Sequence, residues 1–400
     1  MSPSEKDIQK RIESIDILRG IVMVIMALDH VRDFFHIEAF TGDPLDLNTT
    51  TPLLFFTRWI THFCAPIFVF LSGTSIYLQS LRKTKSELSL FLIKRGLWLV
   101  FAEVCIITFG WTFNPLYNVL ILQVIWTIGI SMVILGLLIK LPFDFILILG
   151  FIIVLGHNLL DFPESETGFQ PGFLWDLLHH GHFISYPYAP NHVLLIVYPF
   201  LPWTGLMMLG YCTGNFFTSK YSAEQRNKTF KLLGLSMLVL FILLRYVNAY
   251  GDPHDWTTQK DFFSTFLSFM SVNKYPPSLL FMLITIGPAF LMLSVLEKIQ
   301  NPFTNVIRTY GRVAFFYYIL HIYLIHIIAT ICFFANGHTL QEALASAQKL
   351  PFLFLIPAEG YNLTVVYLIW LFVVISLYPL CKWYDNYKSS HKEKQWLSYL

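Results

Sequence analysis

Runs of about 20 apolar residues recur from one end of the chain to the other, and nothing else in it restricts the fold as much. Each run is long enough to cross about 30 Å of hydrocarbon as a helix. The stretch "LLFMLITIGPAFLMLSVL", residues 279–296, is one of them. Lipid offers the backbone no hydrogen-bond partners, so a crossing segment must be a helix or part of a closed barrel. A barrel would alternate over stretches of about ten residues instead. Charged residues make up 13% of the 400 and hydrophobic residues 55%. Soluble domains are about 25% charged, so an ordinary soluble enzyme is excluded. A net charge of only +2 gives no reason to expect a nucleic-acid partner. The expected fold is all-α: a polytopic membrane protein of about ten transmembrane helices, with the lipid bilayer as its first partner.

Approximate span limits are 16–36, 53–81, 89–113, 118–139, 141–160, 193–217, 231–249, 278–297, 312–334 and 362–381. The first run follows a polar, charged segment and has no small-residue cleavage site after it, so it is expected to be retained as a span. Basic residues then set the orientation. Between alternate spans lie 21 of the 27 Lys and Arg, from Lys6, Lys10 and Arg11 to Lys382, Lys388, Lys392 and Lys394. The opposite face keeps Arg32, Arg58, Arg245, Lys260, Lys274 and Lys349. This bias predicts that both termini are cytoplasmic, in a plasma (inner) membrane. The five cysteines all lie in or beside apolar runs and form no CxxC motif, so they read as small buried hydrophobes. There is no internal repeat and no soluble domain; residues 1–400 read as one membrane unit with a core of about 11–382.

Ionisable groups inside this frame need a reason, because they are costly at membrane depth. "LDHVRDFFH" (28–36) holds Asp29, His30, Arg32, Asp33 and His36 at the far end of the first span. At about 1.5 Å per residue, His30, His62 and His321 come to similar depths on three spans, with His326 somewhat higher. Asp29 and Asp33 flank His30 at helical spacing and are candidates to orient it. A general base is a natural role for such a histidine. His62 and His321 also admit a plain core role. At the other ends of the spans, Arg19, Lys94, Arg95, Arg308 and Arg312 cluster as candidate ligands for a phosphorylated cofactor. Long aromatic loops, such as 161–192, suit a polar ligand on the opposite side. The "HHGH" cluster (179–182) lacks the partner spacing of a zinc site, and no metal is expected.

Several segments together carry a resemblance: "RIESIDILRGIVMVIMALDHVRDFF", "FCAPIFVFLSGTSIYL", "PWTGLMMLGYCTG", "NKYPPSLLFMLITIGPAF" and "YGRVAFFYYILHIYLIH". The chain resembles the bacterial membrane proteins grouped with the heparan-α-glucosaminide N-acetyltransferase catalytic domain, and more distantly the membrane acyltransferases of surface polysaccharides. The resemblance implies transfer of an acyl group, acetyl being the expected one, from cytoplasmic acyl-CoA to an extracytoplasmic carbohydrate of the cell envelope. His30, Asp29, Asp33, His36, His62 and His321 are then the catalytic candidates. Arg19, Lys94, Arg95, Arg308 and Arg312 would hold acyl-CoA, and Arg58, Trp203 and His326 would contact the acceptor. The two precedents diverge. The polysaccharide enzymes have their essential His at the His30 position, whereas the lysosomal heparan enzyme has Asn there and its His in the following loop. The flanking carboxylates favour His30 over His36. A proton-coupled transporter of a small polar solute is the alternative that the same buried groups allow. The sequence leaves the oligomeric state open, a homodimer included.

Overall fold

The structure is a computed structural model that describes residues 12–299, 301–348, 350–391 and 393–398. Lys6, Lys10, Arg11, Lys349 and Lys392, counted above for orientation, lie outside the described residues.

Helix α1 (Glu13–Phe35) opens with Glu13 and Asp16 in its first turn, where acidic groups complement the helix dipole. It is buried along most of its length and packs on several of the helices that follow. Thr51 caps α2 (Pro52–Ile60) by accepting the Leu54 N–H. One tight turn, Thr61–Phe63, joins α2 to α3 (Cys64–Ser80). Thr84 and Glu87 form a capping box for α4 (Lys85–Ala102). This helix widens into a π turn over Glu103–Ile107 and continues as α5 (Thr108–Thr112). Strand β1 (Val119–Leu122) leads into α6 (Val124–Leu138), and α7 (Phe143–Gly156) follows. The short helices α8 (Asp161–Glu164) and α9 (Phe173–Trp175) precede a hairpin of β2 (Ile184–Ala189) and β3 (His192–Ile196).

Helix α10 (Leu201–Thr213) is followed by α11 (Ala223–Val247) and α12 (Phe262–Met270). Then come α13 (Leu279–Leu296), α14 (Pro302–Arg312), α15 (Ala314–Ala335), α16 (Leu340–Ser346) and α17 (Leu363–Ser390). Among the described residues, six helical segments are long and apolar enough to cross a membrane: Pro52–Ser80, Phe143–Glu164, Ala223–Val247, Leu279–Leu296, Ala314–Ala335 and Leu363–Ser390.

The all-α expectation needs one correction. β1, β3 and β2 form a three-stranded sheet in that order, with β1 and β3 parallel and β2 and β3 antiparallel. Val119–Leu122 and His192–Ile196 fall in or beside the first turns of the spans expected to begin at 118 and 193. Short apolar runs fit a strand as well as a helix, so the helices start later, at Val124 and Leu201.

Backbones touch where glycines allow it. A Cβ on Gly20 would overlap the Ile307 carbonyl oxygen, and one on Gly311 would overlap that of Asp16. Helices α1 and α14 therefore lie in backbone contact at the end of α1 that carries Arg19. Gly73 and Gly210 let α3 and α10 approach in the same way, and Thr74 Oγ1 donates to the Gly210 carbonyl at 3.0 Å.

Candidate active site

Two cavities lie at opposite ends of α1. The cavity at its C-terminal end is about 490 Å³ and is lined by Asp29, His30, Arg32, Asp33, His36 and Arg58, with Trp111, Gln123, Tyr198 and Lys274 facing them. The cavity at its N-terminal end is about 380 Å³. Arg19, Arg95, Arg312 and Lys388 give it a basic lining, and Met23, Met26, Phe68 and Leu99 an apolar one. The two meet at a thin wall. His30 belongs to one and Met26, a turn earlier on α1, to the other; Gln123 and Val124 divide in the same way. Tyr318 lines the basic cavity, and its ring centroid is 6.1 Å from that of His30.

At the wall, His30 Nδ1 is 2.7 Å from His321 Nε2, and the two rings stack at 4.9 Å. The proton positions follow from one carbonyl. His321 Nδ1 lies 3.0 Å from the Tyr317 oxygen, which can only accept, so Nδ1 carries the hydrogen. Neutral His321 then has a bare Nε2, and His30 Nδ1 must donate to it. Neutral His30 is left with its lone pair on Nε2, and this ring lines the larger cavity.

The flanking carboxylates are engaged elsewhere. Arg58 Nη1 donates to both Asp29 oxygens, at 2.7 and 2.5 Å. Arg32 Nη2 lies 3.1 Å from Asp29 and 2.5 Å from Asp33. Asp29 and Asp33 thus share the cavity with His30 but are held by arginines, and His321 is the ring's partner. Two guanidiniums at 2.5 Å draw a carboxylate more strongly than a neutral imidazole does, which is why helical spacing alone misassigned the orienting group. His36 caps α1 at the cavity edge, with Nδ1 accepting the Glu38 N–H at 3.3 Å.

Other expected residues fall outside both cavities. His62 packs on Phe281, at 5.4 Å between centroids; matching depth does not fix which way a side chain points around its helix. His326 Nδ1 and Nε2 lie 3.0 and 2.8 Å from the carbonyls of Gly110 and Leu353. Trp203 is fully buried between Tyr198 and Phe281. Lys94 is exposed, one position round α4 from the inward-facing Arg95. Arg308 pairs with Glu13 at 2.6 Å. Of the expected cations, Arg19, Arg95 and Arg312 do line one cavity, and Lys388 joins them. Arg19 donates to Ser75 at 2.8 Å, and Arg312 pairs with Asp385 at 3.1 Å.

A model of the heparan-alpha-glucosaminide N-acetyltransferase catalytic family matches residues 11–246. The chain belongs to this family. No curated protein matches the chain. The acetyltransferase match takes in His30, Arg58 and Arg95 but stops short of Lys274, Arg312 and His321, which the fold brings to the same two cavities. Membership of an acetyltransferase family supports acyl transfer as the general activity.

Three features escaped the sequence reading. Lys274 is 8% exposed and lines the His30 cavity, and no ion pair of the described residues includes it. Its signal was a lysine between an apolar helix and "YPPSLL". Glu103 is fully buried and caps α6, accepting the Trp126 N–H at 2.8 Å; a lone acid inside an apolar run was its signal. His179, in "HHGH", is buried in a network, with Nδ1 2.8 Å from Glu164 and Nε2 3.1 Å from His157 Nδ1. Asp161, Glu164 and His179 come within 4.8 Å of one another and are the one group of described residues spaced to hold a metal ion. They line neither cavity.

Proposed function

We propose that the protein transfers an acyl group, acetyl first among the options, from acyl-CoA in the basic cavity to an acceptor in the His30 cavity. The observation that carries this reading is the His30–His321 pair at the wall between two cavities that open at opposite ends of α1. Arg19, Arg95, Arg312 and Lys388 suit the phosphates, since charge-assisted contacts to phosphate are strong. The Met and Phe lining beyond them suits a narrow pantetheine arm. His30 Nε2 takes the proton of the attacking hydroxyl or amine. His321 stays bonded to Nδ1 and holds the tautomer, much as a carboxylate does in a hydrolase triad. The ion pairs of Asp29 with Arg58 and Arg32 hold the cavity floor in place. Family membership favours transfer over the transport alternative.

The basic cavity would open to the cytoplasm and the His30 cavity to the outside, in keeping with the distribution of Lys and Arg. An envelope carbohydrate fits the polar lining of the His30 cavity as acceptor. Ten spans in one unit, with both termini inside, remain part of this proposal: α1, α4, α6 and α10 would cross beside the six apolar segments.

The test uses purified protein, acetyl-CoA, and glucosamine as acceptor probe. His30→Ala should lower the transfer rate by about 10² to 10⁴ while acetyl-CoA still binds. His36→Ala should cost much less. A dead His36→Ala beside a near-normal His30→Ala would reassign the base to the loop histidine.

A further inference from the structure

Beside His30, two buried side chains carry donors that no described group accepts. Trp111, at the end of α5, is 5% exposed, and Tyr318, on α15, is 3% exposed. The Trp111 Nε1–H and the Tyr318 hydroxyl have no hydrogen-bond partner among the described residues. The two side chains approach each other without reaching hydrogen-bond geometry. Leaving such a group buried and unmatched costs about 1–3 kcal/mol, and here two lie together. Other indoles and phenols are also orphaned, namely those of Trp126, Trp203, Trp256, Tyr317 and Tyr384. Those five line neither cavity, whereas Trp111 lines the His30 cavity and Tyr318 the basic one.

Their placement around the imidazole is specific. The Trp111 ring meets His30 edge-on at 4.9 Å between centroids, and Tyr318 meets it edge-on at 6.1 Å. Tyr318 is also 5.4 Å from the His321 ring. Three separate elements, α1, α5 and α15, thus bring one base and two unused donors to the wall where the cavities meet.

We propose that the Trp111 Nε1–H and the Tyr318 O–H form the pair of donors that receives the thioester carbonyl oxygen of acyl-CoA. This rests on the acyl-transfer reading above and deepens it. In the step, the acceptor heteroatom bonds to the acyl carbon while its proton passes to His30 Nε2. The carbon–sulfur bond then breaks, its electron pair leaves on the CoA sulfur, and His30 returns the proton to give the free thiol. Negative charge grows on the carbonyl oxygen before that bond breaks. Fixed donors in a water-poor site act most strongly on such charge. Both donors are held by their packing and have only the weak Trp111–Tyr318 contact to give up, so little reorganisation is needed.

The test compares Trp111→Phe and Tyr318→Phe, which keep the ring and remove the donor, with Tyr384→Phe, which removes an orphaned phenol outside both cavities. Acetyl-CoA affinity and the single-turnover release of free CoA thiol are measured with glucosamine as acceptor probe. Each of the first two variants should lose about 10² to 10³ in rate with acetyl-CoA affinity within about twofold, and Tyr384→Phe should keep the wild-type rate. If His30→Ala is inactive while Trp111→Phe and Tyr318→Phe both turn over at the wild-type rate, the donor proposal is overturned and the acyl-transfer reading stands. Wild-type protein that neither binds acetyl-CoA nor releases thiol would overturn both.

Discussion

His30 shows what single residues disclose and what they withhold. Its importance was legible, because a histidine among charged neighbours at the end of an apolar helix demands a reason. Its partner was not. Asp29 and Asp33 stood at the right spacing, but Arg58, 29 positions downstream of Asp29, takes one carboxylate, and Arg32 touches both. The histidine that remains is 291 positions away, and no local pattern reports such a distance. Lys94 and Arg95 make the same point on the basic side. They are adjacent and chemically alike, yet only Arg95 lines the cavity. Arg95→Ala should weaken acetyl-CoA binding by about tenfold or more, the usual range for a lost hydrogen bond to a charged group being about 1.5–3 kcal/mol. Lys94→Ala should leave binding unchanged. Calorimetry on the two purified variants separates them, and equal affinities would remove Arg95 from the proposed phosphate site.

Among the elements, long helices were legible and short ones were not. A sustained apolar run of 18 or more residues has few alternatives to a helix, and α13 and α15 lie close to their expected limits, whereas α11 starts eight residues before its expected span and α17 ends nine residues after its own. Four-residue β1 and the β2–β3 hairpin carry no such signal, and α14 falls almost wholly in the stretch between the expected spans 278–297 and 312–334. Yet α14 matters to the site. It sets Arg312 at the basic cavity and lies in backbone contact with α1 through Gly20 and Gly311. Any side chain at Gly20 must push the two helices apart. Gly20→Val should therefore destabilise the protein by at least the ~1–3 kcal/mol typical of overpacking, and acetyl-CoA binding should fall through displacement of Arg19 and Arg312. A thermal melt in detergent with and without acetyl-CoA checks both effects; a wild-type melting temperature would show that the helices part without cost.

For the whole molecule, the wall between the cavities has an electrical consequence. In the proposed arrangement, with the cavities opening to opposite sides, most of a transmembrane voltage would fall across the few side chains around His30, Tyr318 and Val124. In the proposed step a proton passes across this wall from the acceptor to the CoA sulfur while the acyl group passes the other way, and both partners keep the charge they began with. One elementary charge crossing the full potential is worth about 2.3 kcal/mol per 100 mV. No net charge moves here, so the acylation would be electroneutral and the membrane voltage would not drive it. In sealed vesicles with acetyl-CoA trapped inside and glucosamine outside, a potassium diffusion potential of either sign should leave the final extent of acetylation unchanged. An extent that follows the voltage would mean that a proton crosses without an acyl group in exchange. A living cell would thus pass acyl groups through this wall without drawing on its resting voltage, the thioester bond supplying the whole drive.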